Sequence, residues 1–437
     1  MRSAVLAIAV TAVVAFGGCA GVRAAAQPPA PAGPIPAHVM TYLYYSAANQ
    51  NEGVPAAYMA AHADFIETDA THPGLVRAFK AAGGRFAVAY TDPTYVPYCT
   101  PPFAPPAGRC AGPIGNQVLA ESAWLHGSDG LRLRRGDAYT HQYQEILNPA
   151  SVYAQAAYHN YTLGLAESSP IDFFFADDSG SPLDGPDGTP HSGLFYRFNG
   201  AATEIAGARA WIDGEDALLN AAARPVIING GGPEGAPAYG GAFLRDPNVI
   251  GQNHEDCFSQ EGSAGLMSAR DRVWQKMENG LLAITRMHVY AICMMKGPPT
   301  PANRIYALAS WWLTYDPHWS VAATVVPAPD GHSIFPEYAI VPREPVQTIG
   351  TNISTLRQGG VYVREFAACY QDRVPIGRCA AVVNPSPDAP SAMPRLTVAY
   401  GLHLVLGRRS AFAGGRAAWQ AGVPGVLAPL SALILRE

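Results

Sequence analysis

The stretch IDFFFADDSG, residues 171–180, drives a run of aromatic side chains into two adjacent carboxylates, Asp177 and Asp178. A second stretch, VIGQNHEDCF, residues 249–258, ends an apolar start in His254, Glu255 and Asp256. Carboxylates paired among aromatic residues suit glycoside hydrolysis. One carboxylate attacks the sugar or activates water, and the other, kept protonated by its surroundings, protonates the leaving oxygen. The chain offers no GxSxG elbow for a serine nucleophile and no CxxC or Cys/His cluster for zinc. DGPDGT, residues 184–189, lacks the ligand spacing of an EF-hand loop.

Such groups need a scaffold that aims them at one point. Short apolar runs alternate with helical patterns: VMTYLYY, DFIETDA, RFAVAYTDP, IDFFFA, PVIIN, NVIGQNH, VYAICMMK and SVAATVV. Strands apolar on both faces and separated by helices are buried parallel strands. About eight such units point to the α/β class and a (β/α)8 TIM barrel over residues 38–344. A doubly wound open sheet is the competitor, but no GxGxxG follows the first strand. From residue 345 to 437 the pattern turns to short strands with Gly, Pro and Asn turns. That predicts a small C-terminal antiparallel β-sandwich domain.

In a barrel of this kind the site lies at the C-terminal ends of the strands. Strand one ends near Tyr45, and strand two carries Glu67 and Asp69. Strand three ends in Tyr90 and Asp92, strand four in Asp177 and Asp178, and strand five in Asn229. Strand six ends in Glu255 and strand seven in Lys296; the helix and loop around strand eight supply Trp312 and Trp319. Asp177 and Glu255 come from strands two apart and are the expected catalytic pair: Asp177 as nucleophile or base, Glu255 as general acid. Asp178, Asp92, Glu67 and Asp69 are expected to position sugar hydroxyls, with Asn229 and Lys296 also in the substrate-binding set. Tyr45, Tyr90, Trp312 and Trp319 are expected to line subsites. His254 reads as a hydrogen-bonding neighbour. This chemistry requires no cofactor and no metal. The alternatives are a non-catalytic carbohydrate-binding surface protein, and a metal-dependent hydrolase using Asp177, Asp178, His254 and Asp256.

The 437 residues carry a net charge of −5 and no basic block, so nucleic acid is not an expected partner. Residues 1–19 read as a secretory signal, with Cys19 placed as at a lipoprotein cleavage site. Residues 20–37 read as a Pro/Ala-rich linker. The expected location is the periplasm, the outer surface or the medium, with membrane contact only through a lipid on Cys19. Six further cysteines in an exported chain predict disulfides, with Cys99–Cys110, Cys369–Cys379 and Cys257–Cys293 the favoured pairing.

IDFFFADDSG, PVIINGGG, VIGQNHEDCF and YAICMMKG together resemble the bacterial glycoside-hydrolase barrels grouped with endo-α-1,4-polygalactosaminidase. FPEYAIVPREPV, VYVREFAACY and AAVVNPSP resemble the segment where such chains leave the barrel for a β-domain. The resemblance spans most of the chain after residue 38. The expected substrate is a poly- or oligosaccharide; the resemblance implies an Asp at the end of strand four and a Glu at the end of strand six as the catalytic pair. In this sequence those are Asp177 and Glu255.

Overall fold

The computed structural model describes residues 36–45, 54–68, 72–97, 120–125, 134–136, 143–177, 213–214, 216–229, 243–259, 265–296, 300–324, 335–406 and 417–437. The expected signal segment, most of the linker, Cys19, Asp69, Asp178 and the Cys99–Cys110 loop lie outside these residues, as does the side chain of Tyr45.

The chain begins with β1 (Thr41–Tyr45), α1 (Ala56–His62), β2 (Phe65–Thr68), α2 (Pro73–Ala81) and β3 (Phe86–Thr91). Helix α2 has Pro73 in its first turn and buries Val76 and Phe79 on one face. Gly83, at φ +89°, closes it, and Gly84 follows against the Phe79 ring, where a Cβ would collide. After β3 comes an insertion with its own antiparallel sheet, formed by β4 (Tyr95–Pro97), β5 (Arg134–Gly136) and β6 (Tyr143–Ile146). Then follow α3 (Val152–Ser168), β7 (Phe173–Ala176), β8 (Val226–Asn229), β9 (Val249–His254), α4 (Val273–Arg286), β10 (Tyr290–Met294), α5 (Pro301–Thr314) and β11 (Ser320–Thr324).

Eight parallel strands close in the order β1-β11-β10-β9-β8-β7-β3-β2, so the expected TIM barrel is present. Alternation sends Tyr42, Tyr44, Phe65, Val88, Phe175, Ile227, Ile292 and Val321 into the lumen. Leu43, Ile66, Ala87, Phe174, Ile228, Cys293 and Ala322 belong instead to the larger core outside the barrel wall. Both faces are covered, which is why the strands read as unbroken apolar runs.

One irregularity matters for the site. Val226 pairs with Val249, but Ile227 pairs with Gly251, so β9 carries one extra residue at Ile250. Beyond this bulge, Asn253 shares the lumenal face with Asn229, and His254 shares the outer face with Cys293.

The C-terminal domain is an antiparallel sheet. Its strands, in spatial order, are β12 (Ile340–Pro345), β14 (Val361–Gln371), β15 (Val374–Asn384), β20 (Ser431–Arg436), β17 (Leu402–Val405) and β18 (Ala418–Ala421). Strand β13 (Arg357–Gln358) pairs with β14, and a ribbon of β16 (Ser391–Ala392) and β19 (Val426–Leu427) stands apart. One face of the sheet shares the large core with α5, including an edge-on contact of Trp312 with Phe366. The other face buries Val361, Val363, Ala380, Val382 and Leu435 beneath Tyr400 and Leu427. Its second layer is therefore a ribbon and loops. The sheet takes its first strand from residues 340–345, just ahead of the expected boundary.

Arg364 joins the two parts. Its guanidinium Nη1 donates to the carbonyls of Trp312, Leu313 and Tyr315, at 3.3, 3.0 and 2.9 Å, and so caps the C-terminus of α5. Two disulfides match the expected pairing: Cys257–Cys293 and, within the β14–β15 hairpin, Cys369–Cys379.

Candidate active site

The polar groups gather at the C-terminal rim of the barrel, over β3, β7, β8, β9 and β10. The backbone N–H of Asp177 donates to Thr91 O at 2.9 Å, extending the β3–β7 ladder one residue past the strand. This fixes where the carboxylate starts. Tyr90 donates its hydroxyl to Asp177 Oδ2 at 2.5 Å, and Asn229 Nδ2 donates to Oδ1 at 2.5 Å.

The same Asn229 nitrogen donates to Glu255 Oε1 at 2.8 Å. The other Glu255 oxygen, Oε2, accepts from Lys296 Nζ at 2.6 Å. One amide thus bridges the two expected catalytic carboxylates. Both N–H groups face carboxylate oxygens, so the orientation of the Asn229 amide is fixed by its partners. Its Oδ1 must then accept, and Asn253 Nδ2 donates to it at 3.0 Å. Asn253 is buried, and it reaches Asn229 because of the bulge in β9.

Beneath the rim lies a third carboxyl. Glu67 is buried in the lumen and accepts from the Tyr42 hydroxyl at 2.6 Å. Burial pushes its carboxyl well above the usual range; the Tyr42 bond opposes this, and the charges of Asp177 and Glu255 add to it. Burial likewise pushes up the Tyr44 phenol, followed by the charges of Glu67, Glu255 and Asp177. Burial at the floor of the site therefore favours the neutral forms of Glu67 and Tyr44.

Most of the expected site residues whose side chains are described converge: Asp177, Glu255, Tyr90, Asn229 and Lys296 at the rim, with Glu67 below them. Asp92 follows β3 and accepts from the backbone N–H of Thr94 at 3.3 Å, a local turn.

Three expectations are corrected. Trp312 is fully buried in α5 against the C-terminal sheet, so it cannot line a subsite. Helix PANRIYALASWWLT is apolar on nearly every side, the mark of a helix buried all round. Trp319 precedes β11 and packs on His288 and Tyr290 at the N-terminal end of the barrel, opposite the rim. His254 departs from its expected role as a hydrogen-bonding neighbour. It is buried on the outer face, and neither ring nitrogen has a partner among the described residues. Burial draws its pKa down to about 4. Among the described residues no three His, Cys, Asp or Glu side chains gather as a metal site.

Tyr42, Tyr44 and Asn253 join the site although none belongs to the expected catalytic or substrate-binding set. Alternation along YLYY marks the two tyrosines as one face. Nothing local marks Asn253, since simple alternation from Ile250 would turn it outward.

No family model matches the chain, and no curated protein matches it. Some solved structures are similar to the chain. An α-amylase from Malbranchea cinnamomea is 9% identical, with a TM-score of 0.44, over 91% of this chain and 96% of that one. A family GH13_31 enzyme is 8% identical, with a TM-score of 0.43, over 93% of this chain and all of that one. A GH36 α-galactosidase from Geobacillus stearothermophilus in complex with raffinose is 10% identical, with a TM-score of 0.41. There the match covers 91% of this chain, which spans about half of that chain, 55%.

Proposed function

We propose that the chain is a glycoside hydrolase acting on a poly- or oligosaccharide, with Asp177 as nucleophile and Glu255 as general acid and base. One observation carries this reading: a single amide nitrogen, Asn229 Nδ2, bonds to both carboxylates at the barrel rim. The oxygens that share it are no farther apart than the two bonds laid end to end. A shared donor of this kind favours the roughly 5–5.5 Å spacing of retaining glycosidases over the roughly 6.5–9.5 Å of inverting ones.

In the first half-reaction Asp177, steadied by Tyr90 and Asn229, attacks the anomeric carbon. The glycosidic C–O bond breaks as Glu255 gives its proton to the leaving oxygen. In the second half Glu255 takes a proton from water, which attacks the same carbon and releases Asp177. The resting Glu255–Lys296 ion pair suits this second half, with Glu255 held as a base. For the first half Glu255, 42% exposed, takes its proton from solvent, and the water of the second half restores it. Export is part of the proposal, supported by the segment at residues 1–19 and by the two disulfides. A lipid on Cys19 would appear in the mass of the mature N-terminal peptide.

The test is hydrolysis of a polysaccharide panel by the wild-type chain, Asp177→Asn and Glu255→Gln. Turnover by wild type alone, with the first-released sugar retaining its anomeric configuration, is the expected result. Glycan binding by all three proteins with no turnover by any would leave the carbohydrate-binding reading and sink this one.

A further inference from the structure

The turn that carries Glu255 has an unusual backbone. Asp256 and Phe258, flanking Cys257, have φ of +56° and +60°, the left-handed region that side-chain-bearing residues seldom occupy. Something must hold this turn, and two links do so. Cys257 N–H donates to Met294 O at 2.9 Å, and the Cys257 sulfur is bonded to Cys293 with Cα atoms 5.3 Å apart. Both links land on β10, and both cysteines are fully buried.

The anchor points are informative. Cys257 lies two residues after Glu255, and Cys293 three before Lys296. The disulfide therefore ties together the two backbones that carry the two halves of the ion pair. That pair is not self-sufficient: the Glu255 side chain is 42% exposed and Lys296 17%. An ion pair open to solvent gains little, because water screens it and ordering two long side chains costs entropy. Holding both stems in place lowers that ordering cost.

We propose that the Cys257–Cys293 disulfide is a positioning device that sets the Glu255–Lys296 pair across the site. This rests on the glycosidase reading for its catalytic consequence but not for its geometry. Opening the disulfide leaves the Cys257–Met294 backbone hydrogen bond between the turn and β10. The turn relaxes, Lys296 loses its partner for part of the time, and Glu255 no longer points steadily at the leaving oxygen.

Lys80, Lys276 and Lys296 are the only lysines in the chain, so amine labelling can be read at each. Lys276 is exposed, and Lys80 is paired with Asp172 elsewhere in the barrel. The experiment compares reductive methylation rates, by peptide mass spectrometry, in the wild-type chain and in folded Cys257→Ala/Cys293→Val. Labelling of Lys296 should speed up severalfold while Lys80 and Lys276 stay as they were. On a glycan that wild type hydrolyses, kcat should fall by about 100-fold, the scale of an ångström-sized misplacement, with KM much less changed. Unchanged Lys296 labelling overturns the inference whatever the activity does. A wild-type chain that hydrolyses no glycan defeats the glycosidase reading, and the labelling still decides the clamp. Should the double variant fail to fold, the same labelling is read on wild type titrated with a phosphine reductant. Lys296 must then react faster only in molecules with this disulfide open, and independence from its state refutes the proposal.

Discussion

Asn229 is the residue on which the two carboxylates depend together. Replacing it with Ala removes a donor from each acid and should lower kcat by about 100-fold, as loss of a placed site donor does. Asn253→Ala leaves Asn229 in place but frees its amide to rotate, and about a tenfold loss is expected, the scale of one net hydrogen bond. Steady-state kinetics on a hydrolysed glycan checks this order; equal losses would show that Asn253 acts otherwise. Glu67 has a different signature. Its folded pKa is raised above the unfolded value, so its stabilising contribution is full at low pH and is lost as pH rises through the raised value. Glu67→Gln keeps an oxygen for the Tyr42 hydroxyl and cannot ionise. Urea unfolding should find the variant and wild type alike below about pH 4, and the variant more stable near about pH 9. Of the expected site residues, Asp177, Glu255, Asn229 and Lys296 were legible because each follows an apolar strand. Trp312 misled because an aromatic residue in a helix looks the same whether its face meets sugar or sheet.

At the level of elements, α5 and the turn before β9 are the parts most open to test. Arg364 satisfies three carbonyls at the end of α5 from a buried position, and burial lowers its pKa only to about 10, so it stays charged near neutrality. Arg364→Met orphans the carbonyls of Leu313 and Tyr315 and should cost about 3 kcal/mol, read from the urea midpoint. Asp246, in the turn ahead of β9, has its pKa raised to about 7, first by burial and then, against its bond from Asn248, by neighbouring Asp216. The sign follows: stability should fall as pH climbs from about 4 to about 7, because the unfolded chain releases this proton earlier. Asp246→Asn should flatten that part of the pH–stability curve. The strands themselves were readable, since burial on both faces leaves an apolar run in the sequence. The bulge in β9 was not. Val, Ile and Gly in a row carry no sign of which residue will be left over when two strands pair.

Across the whole molecule, barrel and C-terminal sheet share one core through α5, with Trp312 against Phe366 and Arg364 on the helix end. A chain ending at residue 339 should therefore expose that helix face and aggregate, whereas the full chain should elute as a discrete species in size-exclusion chromatography. The sequence by itself determined the barrel, the antiparallel tail and the strand ends where acids would be presented. These follow from local periodicity, because burial demands apolar residues at fixed intervals along an element. Only the tertiary structure decided that Asn253 turns inward and His254 outward, that Trp312 serves the sheet and Trp319 the far end, and that one amide joins Asp177 to Glu255. Those outcomes depend on how strands register and which surfaces meet, and such relations between distant residues leave no periodic trace in any one stretch of chain.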